Sequence, residues 1–364
     1  MRLAKHRKIR HDNEMKTIND LHNVYFSEQL ITNDAISCIK QYPKSIVVCD
    51  HHTLSLGQRI AKHTSEPMLV IPAGEQSKSR SIKAWLEDQW LQKQLCREDV
   101  VIACGGGMVL DLVGFSAATY LRGIDCLYWP TSLLAMVDAS LGRKTAINVH
   151  GIKNAIGTFQ EPKGIFLATD CLKSLPWREL REGFIECIKH LLLTQPNEII
   201  SLLNQSQPLE HWLAQDMPSN IMQQLCIKHH FVAQDRYDHG RRQYLNLGHT
   251  LGHAIESITG CSHGTAVAIG LHFMAYASHH ILGFPAEHLQ QIAQTLHRLK
   301  IKSPHHLQAE RLLTQCLSDK KRTQQGLRWI LLKQIGEPCT VTLSADESLQ
   351  LITDWIEHHA YSLS

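Results

Sequence analysis

The run Val100–Cys104 (VVIAC) passes straight into Gly105-Gly106-Gly107 and then into an apolar stretch that continues through Tyr120. No other segment narrows the possible folds so far. A short β-branched apolar run fits a strand buried on both faces, three glycines permit a tight turn, and the following stretch is long enough for a helix. A strand followed at once by a helix is half of a βα unit, and such units build parallel sheets covered by helices. Further candidate strands lie at Ser45–Asp50 (SIVVCD), Met68–Ile71, Leu127–Pro130 and Gly164–Ala168. Strands alternating with helical segments predict an α/β domain with a doubly wound parallel sheet.

From Pro176 onward the pattern turns helical: Arg178–Leu193, Asn197–Asn204, Met217–Gln234, Tyr244–Thr259, then Gly264–His280 and beyond, with one extended piece near Gly326–Ile335. A chain of 364 residues accommodates two domains. The expected division is a basic extension over 1–20, an N-terminal nucleotide-binding α/β domain over 21–175 and a C-terminal helical (all-α) domain over 176–364. The extension carries Arg2, Lys5, Arg7, Lys8 and Arg10, and reads as solvated charge. Lys+Arg is 37 against Asp+Glu 34, a net +3, which gives no electrostatic case for a nucleic-acid or membrane partner. No apolar run reaches about 18 residues, so no transmembrane helix is expected. The basic start has no apolar segment behind it, so a secretory signal is not expected either. Eleven scattered cysteines without a CxxC pair fit reduced thiols and a cytoplasmic protein.

Three groups of residues carry possible chemistry. Gly105–Gly107 can present backbone N–H groups and a helix N-terminus to a phosphate, or can simply turn the chain. Asp50, closing an earlier strand, can bond a ribose hydroxyl or sit solvated. With 24 histidines, only geometry can select among them. In RRQYLNLGHTLGHAIE, Arg242, Asn246, His249 and His253 follow at spacings of four, three and four, which predicts one shared helix face. A His pair at i,i+4 suits one metal ion, and His263 can complete a set. Glu186 lies in an apolar helix (GFIECIKHLLL) with Lys189 one turn on. Glu plus two His leaves the open position a catalytic Zn²⁺ needs, whereas a Glu186–Lys189 ion pair among core histidines is the alternative. Lys144, Lys153, Lys189, Lys228, Arg122 and Arg242 sit in segments otherwise rich in small and apolar residues. They either converge on an anionic substrate or are individually solvated.

Taken together, AGEQSKS (73–79), ACGGGMVLDLVGFSAATYLRG, WPTSLLAMVDASLGRKTAIN, KNAIGTF, REGFIECIKH, YLNLGHTLGHAIE and HGTAVAIG resemble the 3-dehydroquinate synthases of the sugar-phosphate cyclase family, in order and nearly in spacing, from about residue 45 to the DKK at 319–321. The resemblance implies an NAD- and Zn²⁺-dependent lyase (Co²⁺ being the other candidate ion) of aromatic amino acid biosynthesis, acting on 3-deoxy-D-arabino-heptulosonate 7-phosphate. The reaction would run through transient oxidation, phosphate β-elimination, re-reduction and aldol closure. It implies metal ligands at Glu186, His249 and His263, and moves His253 to proton transfer. Cofactor contacts would fall on Asp50, Glu75, Lys78, Gly106, Gly107, Asp111, Thr131, Ser132, Lys153 and Thr169. Catalytic positions would be Lys144, Lys189, His253, Asn246 and Asp138. Substrate contacts would be Lys144, Asn154, Lys228, Arg242 and Asn246, with Arg122 reaching the partner's site in a homodimer.

Four positions depart from the family pattern. Leu110 replaces a Gly; on a helical backbone it would fill the core. Arg143 replaces a Gly, and a positive φ there would need its side chain to bend away from Lys144. Thr265 replaces the Glu of HGE, removing a carboxylate near the metal. Asp238 replaces a Glu. These changes leave open a cyclase of the 2-deoxy-scyllo-inosose or valiolone type, a catalytically impaired homologue, or a polyol dehydrogenase. Arg242, Asn246 and His253 suit a substrate carboxylate and speak for the dehydroquinate branch.

Overall fold

The computed structural model describes residues 16–18, 21–204, 216–304, 306–318, 322–323 and 326–358. Arg2–Arg10 and the DKK at 319–321 lie outside them. The chain forms two compact units. The first holds the described residues up to Ser132 together with Arg143–Ser174, and the second holds Leu133–Gly142 with the residues from Leu175 onward.

The first unit is built on a seven-stranded sheet of β1 (Lys16–Ile18), β2 (Leu21–Ser27), β3 (Ser45–Asp50), β4 (Leu69–Ile71), β5 (Val100–Gly105), β6 (Asp125–Pro130) and β9 (Gly164–Ala168), in the order β1-β2-β9-β6-β5-β3-β4. All pairings are parallel except β1–β2. Strands β3, β5 and β9 are buried along their whole length, as a sheet covered on both faces requires. β1 is an edge strand, so the stretch expected as a solvated extension contributes a paired element. From β3 the chain steps outward to β4, then returns to the other side of β3 as β5 and continues to β6. With right-handed crossovers this reversal sends the helices after β3 and β5 to opposite faces, opening a crevice at the carboxyl ends of those two strands. Leu110 is fully buried in the Gly107–Thr119 helix, so it fills the core.

The remaining strands of this unit, β7 (Lys144–Val149) and β8 (Ile152–Phe159), form an antiparallel hairpin. β8 is half-buried to exposed throughout, so the hairpin lacks the alternation that marks a strand in sequence.

The second unit is mainly helical. Its central helices are Trp177–Thr194, Met217–Gln234, His249–Thr259 and His263–Leu282. A three-stranded antiparallel sheet, β10 (Arg322–Thr323), β11 (Gly326–Leu332) and β12 (Pro338–Leu343), adds to it. Phe273 packs its ring against Trp329 and Trp355 beneath that sheet. The Leu133–Val137 helix belongs here because Gly183 lets it approach closely: a Cβ at 183 would lie 2.5 Å from the Leu134 nitrogen.

One expected element is not continuous. The helix predicted over Tyr244–Thr259 is a short 3₁₀ segment, Arg241–Asn246, and a separate helix from His249. Leu247 is extended and Gly248 left-handed (φ 75). A side chain at 248 would also meet the Leu271 nitrogen at 2.9 Å. Arg242 and Asn246 therefore do not share a helix face with His249 and His253.

Candidate active site

In the first unit the sequence-predicted cofactor residues gather along the carboxyl edge of the sheet. Asp50 ends β3, Gly106 and Gly107 follow β5, Thr131 and Ser132 follow β6, and Thr169 follows β9. Gly106 is the N-cap of the Gly107–Thr119 helix, so its neighbouring N–H groups and the helix dipole face the crevice. A Cβ at 106 would lie 3.6 Å from the Ser132 hydroxyl. Asp50 is buried, and its Oδ1 accepts from the Thr53 N–H (2.9 Å) and hydroxyl (2.8 Å); it is an N-cap rather than a solvated strand end.

Lys78 is buried and donates to Asp111 (2.6 Å) and to Asn154 (2.5 Å). Asn148 donates to Glu75 (2.7 Å) and accepts from the Asn154 N–H (2.8 Å). Glu75, Lys78, Asp111 and Asn154 thus form one network. Asn154 and Lys153 lie near the hairpin tip, whereas Lys144 pairs with Phe159 at its base. About four residues of strand, roughly 13 Å, separate them, so the hairpin by itself does not bring Lys144, Lys153 and Asn154 together. Arg143 has φ 57, and its guanidinium pairs with Glu161 at 2.6 Å. Arg122 is exposed on a turn whose backbone is left-handed at Leu121, Arg122 and Gly123.

In the second unit Glu186, His249 and His263 converge. Glu186 is fully buried, and its Oε1 accepts no hydrogen bond from the described residues. Oε2 pairs with the Lys189 ammonium. Oε1 lies 3.5 Å from His249 Nε2 and 3.8 Å from His263 Nε2. His249 Nδ1 is 3.0 Å from the Leu247 carbonyl and His263 Nδ1 is 3.4 Å from Glu256 Oε2. Each imidazole thus spends its Nδ1 proton elsewhere and turns Nε2 inward as a lone-pair donor. Tetrahedral Zn²⁺ with bonds near 2.0–2.1 Å spaces its ligands by about 3.3–3.5 Å, so the residues fit the ion. Burial, then the nearby Lys189 charge, holds the His249 pKa well below the usual imidazole range. Burial acts the same way on His263, but the Glu256 hydrogen bond and the Glu186 charge outweigh it and raise that ring. His253 completes a cluster of three imidazoles, 5.3 Å from His249 and 5.9 Å from His263 between ring centres.

Beside them lies a buried polar group. Lys228 donates to the Asp138 carboxylate at 2.7 Å and to its carbonyl. Arg242 donates to the Gly142 carbonyl and, at 2.9 Å, to that of Arg236. A Cβ at Gly142 would lie 3.3 Å from Lys228 Nζ and 3.6 Å from the Arg242 guanidinium, so the two cations converge there. Burial raises the Asp138 pKa, but Lys228 and Lys189 outweigh it and hold the carboxyl well below its usual range. Sequence reasoning missed Glu256, although it stands seven residues after His249 and three after His253, on their helix face. It also missed His190, which is fully buried 3.9 Å from Asp138. Burial, then Lys189, pushes that imidazole down to about 3.

Residues 68–182 match the family model of the 3-dehydroquinate synthase N-terminal domain, and residues 183–322 that of its C-terminal domain. The chain is 32% identical over 355 residues to a 3-dehydroquinate synthase of Bacillus pumilus, covering 94% of this chain and 97% of the relative. It is 38% identical over 295 residues to that of Geobacillus thermodenitrificans, covering 80% and 79%. Its fold is similar to a 2-epi-5-epi-valiolone synthase from Streptomyces hygroscopicus, solved with NAD⁺ and Zn²⁺ bound, with a TM-score of 0.80, 21% identity, and 98% and 99% of the two chains covered.

Proposed function

Because the chain belongs to the 3-dehydroquinate synthase family, we propose that it converts 3-deoxy-D-arabino-heptulosonate 7-phosphate into 3-dehydroquinate and phosphate. The observation that carries the reading is the convergence of Glu186 Oε1, His249 Nε2 and His263 Nε2 beside the buried cations Lys228 and Arg242. Zn²⁺ on those three donors supplies a Lewis acid for a substrate hydroxyl. NAD⁺ supplies a hydride acceptor that is regenerated within the cycle.

The chain's own residues position and stabilise charge. Gly106 and Gly107 receive the pyrophosphate on backbone N–H groups. Asp50 offers a carboxylate to a ribose, while Glu75, Lys78, Asp111, Thr131, Ser132, Lys153 and Thr169 make the remaining nucleotide contacts. Lys228 and Arg242 hold the substrate carboxylate, which Arg can grip with two parallel bonds. Asn246 and His253 bond the substrate hydroxyls, and His253 moves a proton. Lys189 neutralises the outer oxygen of Glu186, and Asp138 keeps Lys228 charged in its buried setting. Asn154 binds the phosphate, together with Arg122 supplied by a second copy, and Lys144 acts on the substrate from the base of the hairpin. The strained turn at 121–123 supports such a fixed presentation. In this reading the working protein is a cytoplasmic homodimer acting on a small molecule, without a nucleic-acid or membrane partner. No helix among the described residues is long and apolar enough to cross a membrane.

The test is phosphate release from that substrate by purified protein with NAD⁺ and Zn²⁺, with NADH absorbance followed alongside. Release that EDTA abolishes, without net NADH, is expected. No release from folded, metal-loaded protein rejects the reading, and net NADH points to a dehydrogenase instead. A substrate lacking the carboxylate but turned over faster points to another cyclase.

A further inference from the structure

We infer that Glu182 is a positioning residue for the metal ligand His263, an inference that rests on reading Glu186, His249 and His263 as the metal set. The His263–Leu282 helix starts at the ligand itself, yet its N-cap Ser262 makes no capping bond to it and no acidic residue lies in its first turn. The first N–H groups of a helix lack intrahelical acceptors and need them from elsewhere. Glu182 provides one from the Trp177–Thr194 helix. Its Oε2 accepts from the Gly264 N–H at 2.6 Å and its Oε1 from the Ser262 hydroxyl at 2.7 Å. One buried carboxylate therefore grips the chain on both sides of His263.

The same contact sets the distance between two ligands. Glu182 precedes Glu186 by one helical turn, on the same face. A Cβ at Gly264 would lie 2.8 Å from the Glu182 Cα, so the two helices touch backbone to backbone here. The helix bearing Glu186 thus holds the start of the helix bearing His263 by a charged clasp. Thr265 explains why the carboxylate comes from across the interface. An S-x-x-E capping box starting at Ser262 would place a Glu at 265, and this chain has Thr there, its hydroxyl 2.8 Å from that of Ser262. Glu256, at 3.4 Å from Nδ1, holds the His263 ring itself, whereas Glu182 holds the backbone that carries it.

The test measures Zn²⁺ affinity of the full metal-free chain by competition with a chromophoric chelator, alongside thermal melting of the same metal-free samples. Glu182→Gln keeps the side-chain size and removes the charge, and Zn²⁺ binding is expected to weaken about 10–100-fold. Ser262→Ala, a milder change at one bond, is expected to weaken it about 5-fold. Glu182→Ala combined with Thr265→Glu rebuilds a capping box within the helix and is expected to recover most of what Glu182→Ala alone loses. Wild-type affinity in both Glu182→Gln and Ser262→Ala overturns the inference, whatever happens to their melting temperatures, because the clasp would then serve stability alone. A wild-type chain that takes up no Zn²⁺ overturns the underlying reading and this inference together.

Discussion

Replacing Gly270 by Ala tests whether helix contact fixes the metal ligands. Gly270 lies on the His263–Leu282 helix, where it crosses the start of the His249–Thr259 helix. A Cβ there would sit 1.9 Å from the Gly248 carbonyl oxygen and 3.0 Å from the Gly252 nitrogen. Both are backbone atoms, and the Gly248 carbonyl already accepts from the Gly252 N–H at 3.0 Å, so no side chain can swing aside. Relief requires the helices to part by about 1 Å, and overpacking of this kind costs about 1–3 kcal/mol. With backbone on both sides of the clash, the upper end is expected, about 3 kcal/mol, or a Tm lower by roughly 6–12 °C for a unit of this size. The same shift separates His249 from His263, whose Nε2 atoms stand only 3.5 and 3.8 Å from Glu186 Oε1. Metal-free Gly270→Ala is therefore expected to melt earlier and to bind Zn²⁺ at least tenfold more weakly, since ligand geometry tolerates about 0.5 Å. Thermal unfolding and chelator competition read the two effects. A variant within about 0.5 kcal/mol of wild type that keeps its Zn²⁺ affinity would refute the argument that these glycines set the ligand spacing.

Three further outcomes follow from the geometry. Lys228→Met leaves Asp138 without its nearest cation and should destabilise the chain by about 2–3 kcal/mol in urea unfolding, below the usual figure for a broken buried pair because the Asp138 side chain is 31% exposed; an unchanged midpoint counts against the pair. For Asp235, burial pushes the pKa up, but the His239, Gly240 and Arg242 N–H groups outweigh it and lower the value. Its contribution is then complete above the unfolded-state value near 3.9 and lost as pH falls through the lower folded value. The stability gap between wild type and Asp235→Asn should hold steady from pH 7 to about 5 and shrink below 4, and a gap independent of pH rejects this. Arg143→Gly relieves a left-handed backbone but loosens the unfolded chain and loses a half-exposed ion pair. Stability should stay within about 1 kcal/mol, with phosphate release within about threefold of wild type; a tenfold loss would show the guanidinium acting on substrate.

Much of the first unit is legible in the sequence because parallel strands buried on both faces are continuous apolar runs. Ser45–Asp50 and Gly164–Ala168 are strands with the expected bounds. β2 and the 144–159 hairpin escape, the latter because its second strand is half-buried to exposed throughout and its lysines and asparagines suggest chemistry rather than strand. The ligand helix is misjudged at Gly248, where the residue spacing fits an unbroken helix and only the close approach of Leu271 demands the left-handed turn. Glu186, His249 and His263 are brought together as the motif resemblance implies, whereas spacing alone favours His253. Glu182 is invisible in sequence, because its partners lie 80 and 82 residues away.

The central claim is the reaction itself, and product identification tests it most directly. Incubating 3-deoxy-D-arabino-heptulosonate 7-phosphate with the chain, NAD⁺ and Zn²⁺ under NMR observation should give 3-dehydroquinate and phosphate in equal amounts, with NAD⁺ unconsumed and turnover lost in Glu186→Gln. Unchanged substrate from folded, Zn²⁺-loaded protein, or turnover that survives Glu186→Gln, would contradict the account.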